Sequence, residues 1–121
     1  NKAEANNALN NTGEAIADMN SYASTRITGY SSATHRITET KINNYYGTSD
    51  LQDGILQTIL DFKRAEFAQE GMRWFDILRH KIVVTHRTSE GDEIELGEND
   101  LRRVLQIPES AKLSEVDQNP R

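Results

Sequence analysis

The residues of this chain best equipped for chemistry begin with the decade EGMRWFDILR, Glu70 to Arg79, which sets a tryptophan and a phenylalanine among acids and arginines. Glu70 and Asp76 are carboxylates of the kind that a glycosidic-bond-cleaving site places on either side of its substrate. On a continuous helix, however, their spacing separates them by roughly 9 Å along the axis and keeps them off a common face. The structural reading fits the spacing better. Glu70 with Arg73, and Asp76 with Arg79, are helix-spaced ion pairs, and Trp74 and Phe75 are expected to fill the core beside them.

His80 and His86, with Glu90 or Asp92, are candidate metal ligands by type alone. At strand rise the two histidines lie roughly 20 Å apart and match no ligand pattern, so neither a metal nor a cofactor is expected. His35 has no ligand partner in the sequence. Tyr45 and Tyr46, with Tyr30, form the remaining group: aromatic faces in a polar connector can stack on sugar rings. Adjacent side chains point in different directions, so at most one of Tyr45 and Tyr46 is expected to serve while the other packs. The chain has no glycine-rich phosphate loop, no Gly-x-Ser-x-Gly elbow and no His-Glu-x-x-His helix, and no enzymatic chemistry is expected of it.

The elements that must position these groups are mainly helical. Small and apolar residues recur at helical spacing over 1–27 (Ala5, Ala8, Leu9, then Ala15, Ile16, Met19, Ala23, Ile27), which predicts a helical hairpin about the turn Asn10 to Gly13, with Thr12 capping a helix from Glu14. A Ser, Thr, Asn and Gly rich connector over 28–50 reads as mostly loop, with a short helical turn from Ile37 to Tyr45. Ser49 or Asp50 can cap a helix at Leu51, and the stripe Leu51, Ile55, Ile59 and Phe62 is the strongest helical signal of the chain. That signal opens the signature helices, 51–80, which Gly71 interrupts before a second helix from Met72 to His80. Ile82, Val83 and Val84, the turn Ser89 to Asp92, and Ile94 and Leu96 predict a β-hairpin over 81–97. A short helical or extended segment, DLRRVLQIP, and a polar tail complete 98–121.

Composition narrows the function classes. Nineteen acids against 14 bases give a net charge of −5 with no basic footprint, so nucleic acid is not an expected partner. With no cysteine, no disulfide, thiolate metal site or thiol nucleophile is possible within this chain. No apolar run approaches the length of a membrane span, and Asn1 to Asn11 does not read as a signal peptide. Hydrophobic residues are only 36% of the chain, thin for an independent domain and suggestive of part of a larger protein.

The stretch FKRAEFAQEGMRWFDILRH, Phe62 to His80, resembles the C-terminal signature of the SusD/RagB family. Arg64, Glu66, Glu70, Gly71, Arg73, Trp74, Phe75, Asp76 and Arg79 match its pattern, Lys63 stands for an arginine, Phe67 for a leucine, and Phe62 replaces a glutamate. Downstream, VLQIPES with Pro108 resembles a second family segment, and QNPR, Gln118 to Arg121, its closing motif with Arg121 in place of glycine. The hairpin NTGEAIADMNSYASTRI is similar to the tetratricopeptide-like repeat that precedes the signature. The resemblance implies a single SusD-like C-terminal segment, mainly α with a tetratricopeptide-like hairpin and a small β-hairpin. It further implies a longer, lipid-anchored outer-membrane protein of Bacteroidetes that binds oligosaccharides or other nutrients, without catalysis, for a SusC-like TonB-dependent transporter. On this reading the decade from Glu70 is a structural joint, and no sugar-contacting residue carries over from the family. A helical protein-interaction module that never touches sugar is the rival expectation.

Overall fold

The computed structural model describes residues 1–114 and 117–119 and divides into two compact units, 1–68 and 69–121. In the first unit α1 (Lys2–Ala8) and α2 (Thr12–Arg26) form the expected hairpin. The chain reverses through Asn10 at φ +61°, a left-handed conformation that asparagine tolerates better than most residues. The expected Thr12 cap is corrected: Thr12 already lies inside α2, whose cap position is Asn11, and no side chain there bonds the first turn. The two helices are pinned outside by Asp18, which accepts from Lys2 Nζ at 2.6 Å and from Asn6 Nδ2 at 2.8 Å.

The connector is more ordered than its composition suggests. A helix, α3 (Ser32–His35), occupies what reads as loop, and α4 (Glu39–Tyr46) forms where a short helical turn is expected from Ile37 to Tyr45. A residue far upstream holds it. Asn20 Oδ1 accepts from Ile37 N at 2.8 Å while its Nδ2 donates to Ile37 O at 3.0 Å, so one side-chain amide pairs with both backbone groups of Ile37 as a neighbouring strand would. Thr38 then caps α4 by accepting from Lys41 N, and Gly47 ends it at φ +64°.

Helix α5 (Leu51–Glu66) is the centre of the unit and packs against α1, α2 and α4. Asp50 caps it, accepting from Gln52 N and Asp53 N, which satisfies two of its free N–H groups. Its stripe places Ile55 and Ile59 against Ala15, Met19 and Ile42, with Phe62, Leu51 and Tyr46 at the margin. A polar latch joins α1 to the first turn of α5: Asn7 Nδ2 donates to Gln52 O at 2.9 Å, and Gln52 Nε2 to Asn7 O at 2.7 Å. The helix stops at Glu66, before Gly71, and the chain leaves it through Gln69 and Gly71, both at positive φ.

In the second unit α6 (Arg73–Arg79) precedes an antiparallel hairpin of β1 (Val84–Arg87) and β2 (Glu93–Leu96), with Val84 opposite Leu96 and Arg87 opposite Glu93. The first strand thus begins where the apolar run Ile82 to Val84 ends. A 3-10 turn, Leu101–Arg103, and another, Glu109–Ser114, follow. The mainly helical class with one small two-stranded sheet agrees with the reading of the sequence.

Candidate functional site

The joint at Glu70 to Arg79 does not assemble as a pair of acids. Glu70 is exposed ahead of α6, whereas Asp76 is buried in it at 3% exposure, its carboxylate accepting from Arg79 Nη2 at 2.9 Å. Among the described residues Glu70 forms no pair with Arg73, whose Nη1 is buried without a hydrogen-bond partner, so that expected pair is corrected. The core role expected of both aromatics is corrected for Phe75, which is 63% exposed, while Trp74 is half-buried. Adjacent positions on a helix sit about 100° apart, and a helix this short buries one face only. Gly71, at φ +74°, makes the turn into α6 in a conformation that disfavours any residue with a Cβ.

The remaining signature residues separate. Arg64 is exposed on α5, while Glu66 is half-buried and accepts from Tyr22 Oη at 2.5 Å and from Arg26. Pro108 is exposed, and its carbonyl accepts from Ala111 N at 2.9 Å. The two C-terminal motifs do meet: Gln106 Nε2 donates to Asn119 O at 3.0 Å, and Asn119 Nδ2 to Leu105 O at 2.8 Å. Pro120 and Arg121 of the QNPR motif lie outside the described residues. His80 caps the end of α6, His86 faces Ile94 across the hairpin, and Glu90 and Asp92 flank its tip. Among the described residues no cluster of three or more His, Asp or Glu is arranged to hold a metal ion.

Two clefts of similar size open on the first unit. The larger, about 750 Å3, runs along α1, α2 and α5 over Met19, Ile59 and Phe62. Its polar groups are already joined to one another, Lys2 with Asp18, and Arg26 and Tyr22 with Glu66. The other, about 690 Å3, has Ile37, Ile42 and Phe62 among its apolar walls and His35, Arg36, Lys41, Asn44 and Asp61 among its polar ones, and it holds Tyr45 and Tyr46. This is the more suitable ligand site, because a solvent-facing aromatic ring and the unpaired guanidinium of Arg36 meet there.

The sequence places Tyr45 and Tyr46 side by side on the last turn of α4, and their environments diverge. Tyr46 lies against the core, and its hydroxyl donates to Asp61 Oδ2 at 2.8 Å. Burial, reinforced by the neighbouring carboxylate, pushes this phenol up to about 12, so it remains a donor at any physiological pH. Tyr45 is 79% exposed and packs edge-on against Tyr46, the ring centroids 4.8 Å apart and the planes at 85°. A ring anchored to α5 thus supports a ring that faces solvent. Tyr30 lies apart from them, stacked on the His35 ring at 5.7 Å beside a smaller hollow.

Sequence reasoning missed the basic side of the cleft. Lys41 Nζ donates to Thr34 O at 2.7 Å and to Arg36 O at 2.8 Å, which fixes residues 34–36 alongside α4. Arg36, carried by that segment, has no hydrogen-bond or ion-pair partner for its guanidinium among the described residues. A signal existed in the basic residues His35, Arg36 and Lys41 of an acidic chain, but only folding brings them to the tyrosines.

The model of the SusD family matches residues 1–117, nearly the whole chain. The chain belongs to the SusD family, whose members are outer-membrane-associated proteins that bind glycans and related nutrients, generally without enzymatic activity. No curated protein and no solved structure gave a match to this chain. No described helix is long and apolar enough to cross a membrane.

Proposed function

We propose that this protein binds a glycan or related nutrient at the cell surface, as a lipid-anchored protein of the outer membrane, and delivers it to a SusC-like TonB-dependent transporter. Binding is non-catalytic: affinity alone holds the ligand until the partner accepts it. Tyr45 is the stacking platform and Tyr46 its support. The observation that carries the assignment of the site is the exposed Tyr45 ring, held edge-on by a tyrosine tied to Asp61 in a cleft with free polar groups. The edge of Tyr45 packs on Tyr46 but its face stays in water, and a sugar ring laid on that face removes apolar surface from water on both sides.

The test is retention of the intact protein on immobilised polysaccharides, with released reducing ends measured in parallel. Retention without new reducing ends is the expected result, and Tyr45→Ala should lower affinity about tenfold or more while leaving the circular dichroism spectrum of the folded protein unchanged. Capture of a protein partner with no retention on any polysaccharide would favour the helical interaction module instead. New reducing ends would overturn the non-catalytic reading.

A further inference from the structure

Building on that binding reading, we infer that the Tyr45 cleft selects an acidic sugar, with Arg36 receiving the carboxylate of a uronic acid whose ring lies on Tyr45. The charges lining the cleft set it apart from the chain around it. The protein as a whole is acidic, at −5, yet the fixed charges of this cleft are Arg36 and Lys41 against the single carboxylate of Asp61. Two of these three are committed. Asp61 accepts from Tyr46 Oη at 2.8 Å, and Lys41 donates to the carbonyls of Thr34 and Arg36.

Arg36 is the remaining charge. A chain with 19 acids could readily have set one against it, and the fold does not: the guanidinium is left unpaired among the described residues, on a segment held in place by Lys41 and, through Ile37, by Asn20. The backbone of Arg36 is fixed on both sides, and its exposed guanidinium is free to meet an anion. The planar fork of arginine matches a carboxylate by two parallel hydrogen bonds, a geometry that a neutral hydroxymethyl group at the same ring position cannot satisfy. His35 adds no competing negative charge. Its Nδ1 accepts from Ser31 N at 2.9 Å, so the neutral ring carries its proton on Nε2.

The experiment compares trimers of galacturonate, glucuronate and mannuronate with their methyl esters, which keep the ring and remove the charge, by calorimetry on the intact protein at low and high salt. At least one acid trimer should bind about five- to tenfold more tightly than its ester at low salt, with the ratio shrinking at high salt. Arg36→Gln should bring the acid-to-ester ratio close to one, and Arg36→Lys should restore it only in part, since charge returns without the fork. Tyr45→Ala should weaken acid and ester alike. Equal binding of acid and ester by the wild-type protein, a preference that survives Arg36→Gln, or failure of all the acid trimers to bind would each overturn the inference. Retention of neutral polysaccharide lost in Tyr45→Ala would still uphold the binding site in those cases. Absence of retention on every acidic and neutral polysaccharide would remove both.

Discussion

Gly54 shows how a single residue sets the approach of two helices. A Cβ built there would stand 2.6 Å from Ile42 Cγ2 and 3.2 Å from Thr48 Cγ2, so α5 reaches α4 and its following loop only because the position carries no side chain. In an unhindered helix alanine would be favoured over glycine by up to about 1 kcal/mol. Here the clash with a buried isoleucine outweighs that gain, and Gly54→Ala should destabilise the protein by about 1–3 kcal/mol in urea denaturation. Tyr46 offers a second test. Its folded value of about 12 lies above the ordinary phenol value of 10, so its contribution to stability is complete below about pH 10 and fades as pH rises toward 12. An absorbance titration should show a late-ionising tyrosine that disappears in Tyr46→Phe. Trp74 and Phe75, equal in the sequence, are separated by one step around a short helix into a half-buried and an exposed ring.

Among the elements, the second unit is organised by Arg103, to which the sequence reading assigned no role. This arginine is only 7% exposed, and its guanidinium donates to Gly97 O at 2.5 Å, Ile82 O at 2.6 Å, Leu96 O at 3.0 Å and Ile77 O at 3.2 Å. It thereby ties the end of α6 and both sides of the hairpin to the 3-10 turn, in place of the apolar core that a two-stranded sheet cannot build. Arg103→Ala should cost at least about 2 kcal/mol, and Arg103→Lys should not restore it, because an ammonium has three donors and no fork. Its neighbour Asp100 caps the same turn and is held down to about 2 by Arg102, which bonds it through side chain and backbone. That contribution is present above the ordinary value of 3.8 and is lost as pH falls toward 2. Melting curves between pH 5 and 2 should therefore show a loss of stability that Asp100→Asn lacks.

At the scale of the whole molecule the two units have different means of holding together, an apolar core of helices in residues 1–68 and a buried arginine in 69–121. The only tryptophan, Trp74, lies in the second, while most of the helix lies in the first. Arg103→Ala should accordingly lower the denaturation midpoint seen by tryptophan fluorescence more than that seen by circular dichroism, and Gly54→Ala should do the reverse. Coincident shifts for both variants would mean that the chain unfolds as one cooperative body.

Local signals were sufficient wherever a pattern is written in consecutive residues. The stripe of α5 and its Asp50 cap, the hairpin turn at Asn10, the break between helices near Gly71 and the strand–turn–strand of 81–97 follow from periodicity and turn chemistry, and the ordered motifs were enough to indicate the family. Tertiary structure decided what depends on partners distant in sequence. Asn20 fixes the backbone at Ile37 in a connector that composition marks as mostly loop, and the carbonyls that receive Arg103 come from α6, the loop before β1 and the end of β2. Tyr46 is set apart from Tyr45 by Asp61 on another helix. The physical reason is common to all three. A hydrogen bond to a backbone group or to a carboxylate on another helix depends on where that group is in space, and no periodicity along the chain records which side chain will reach it.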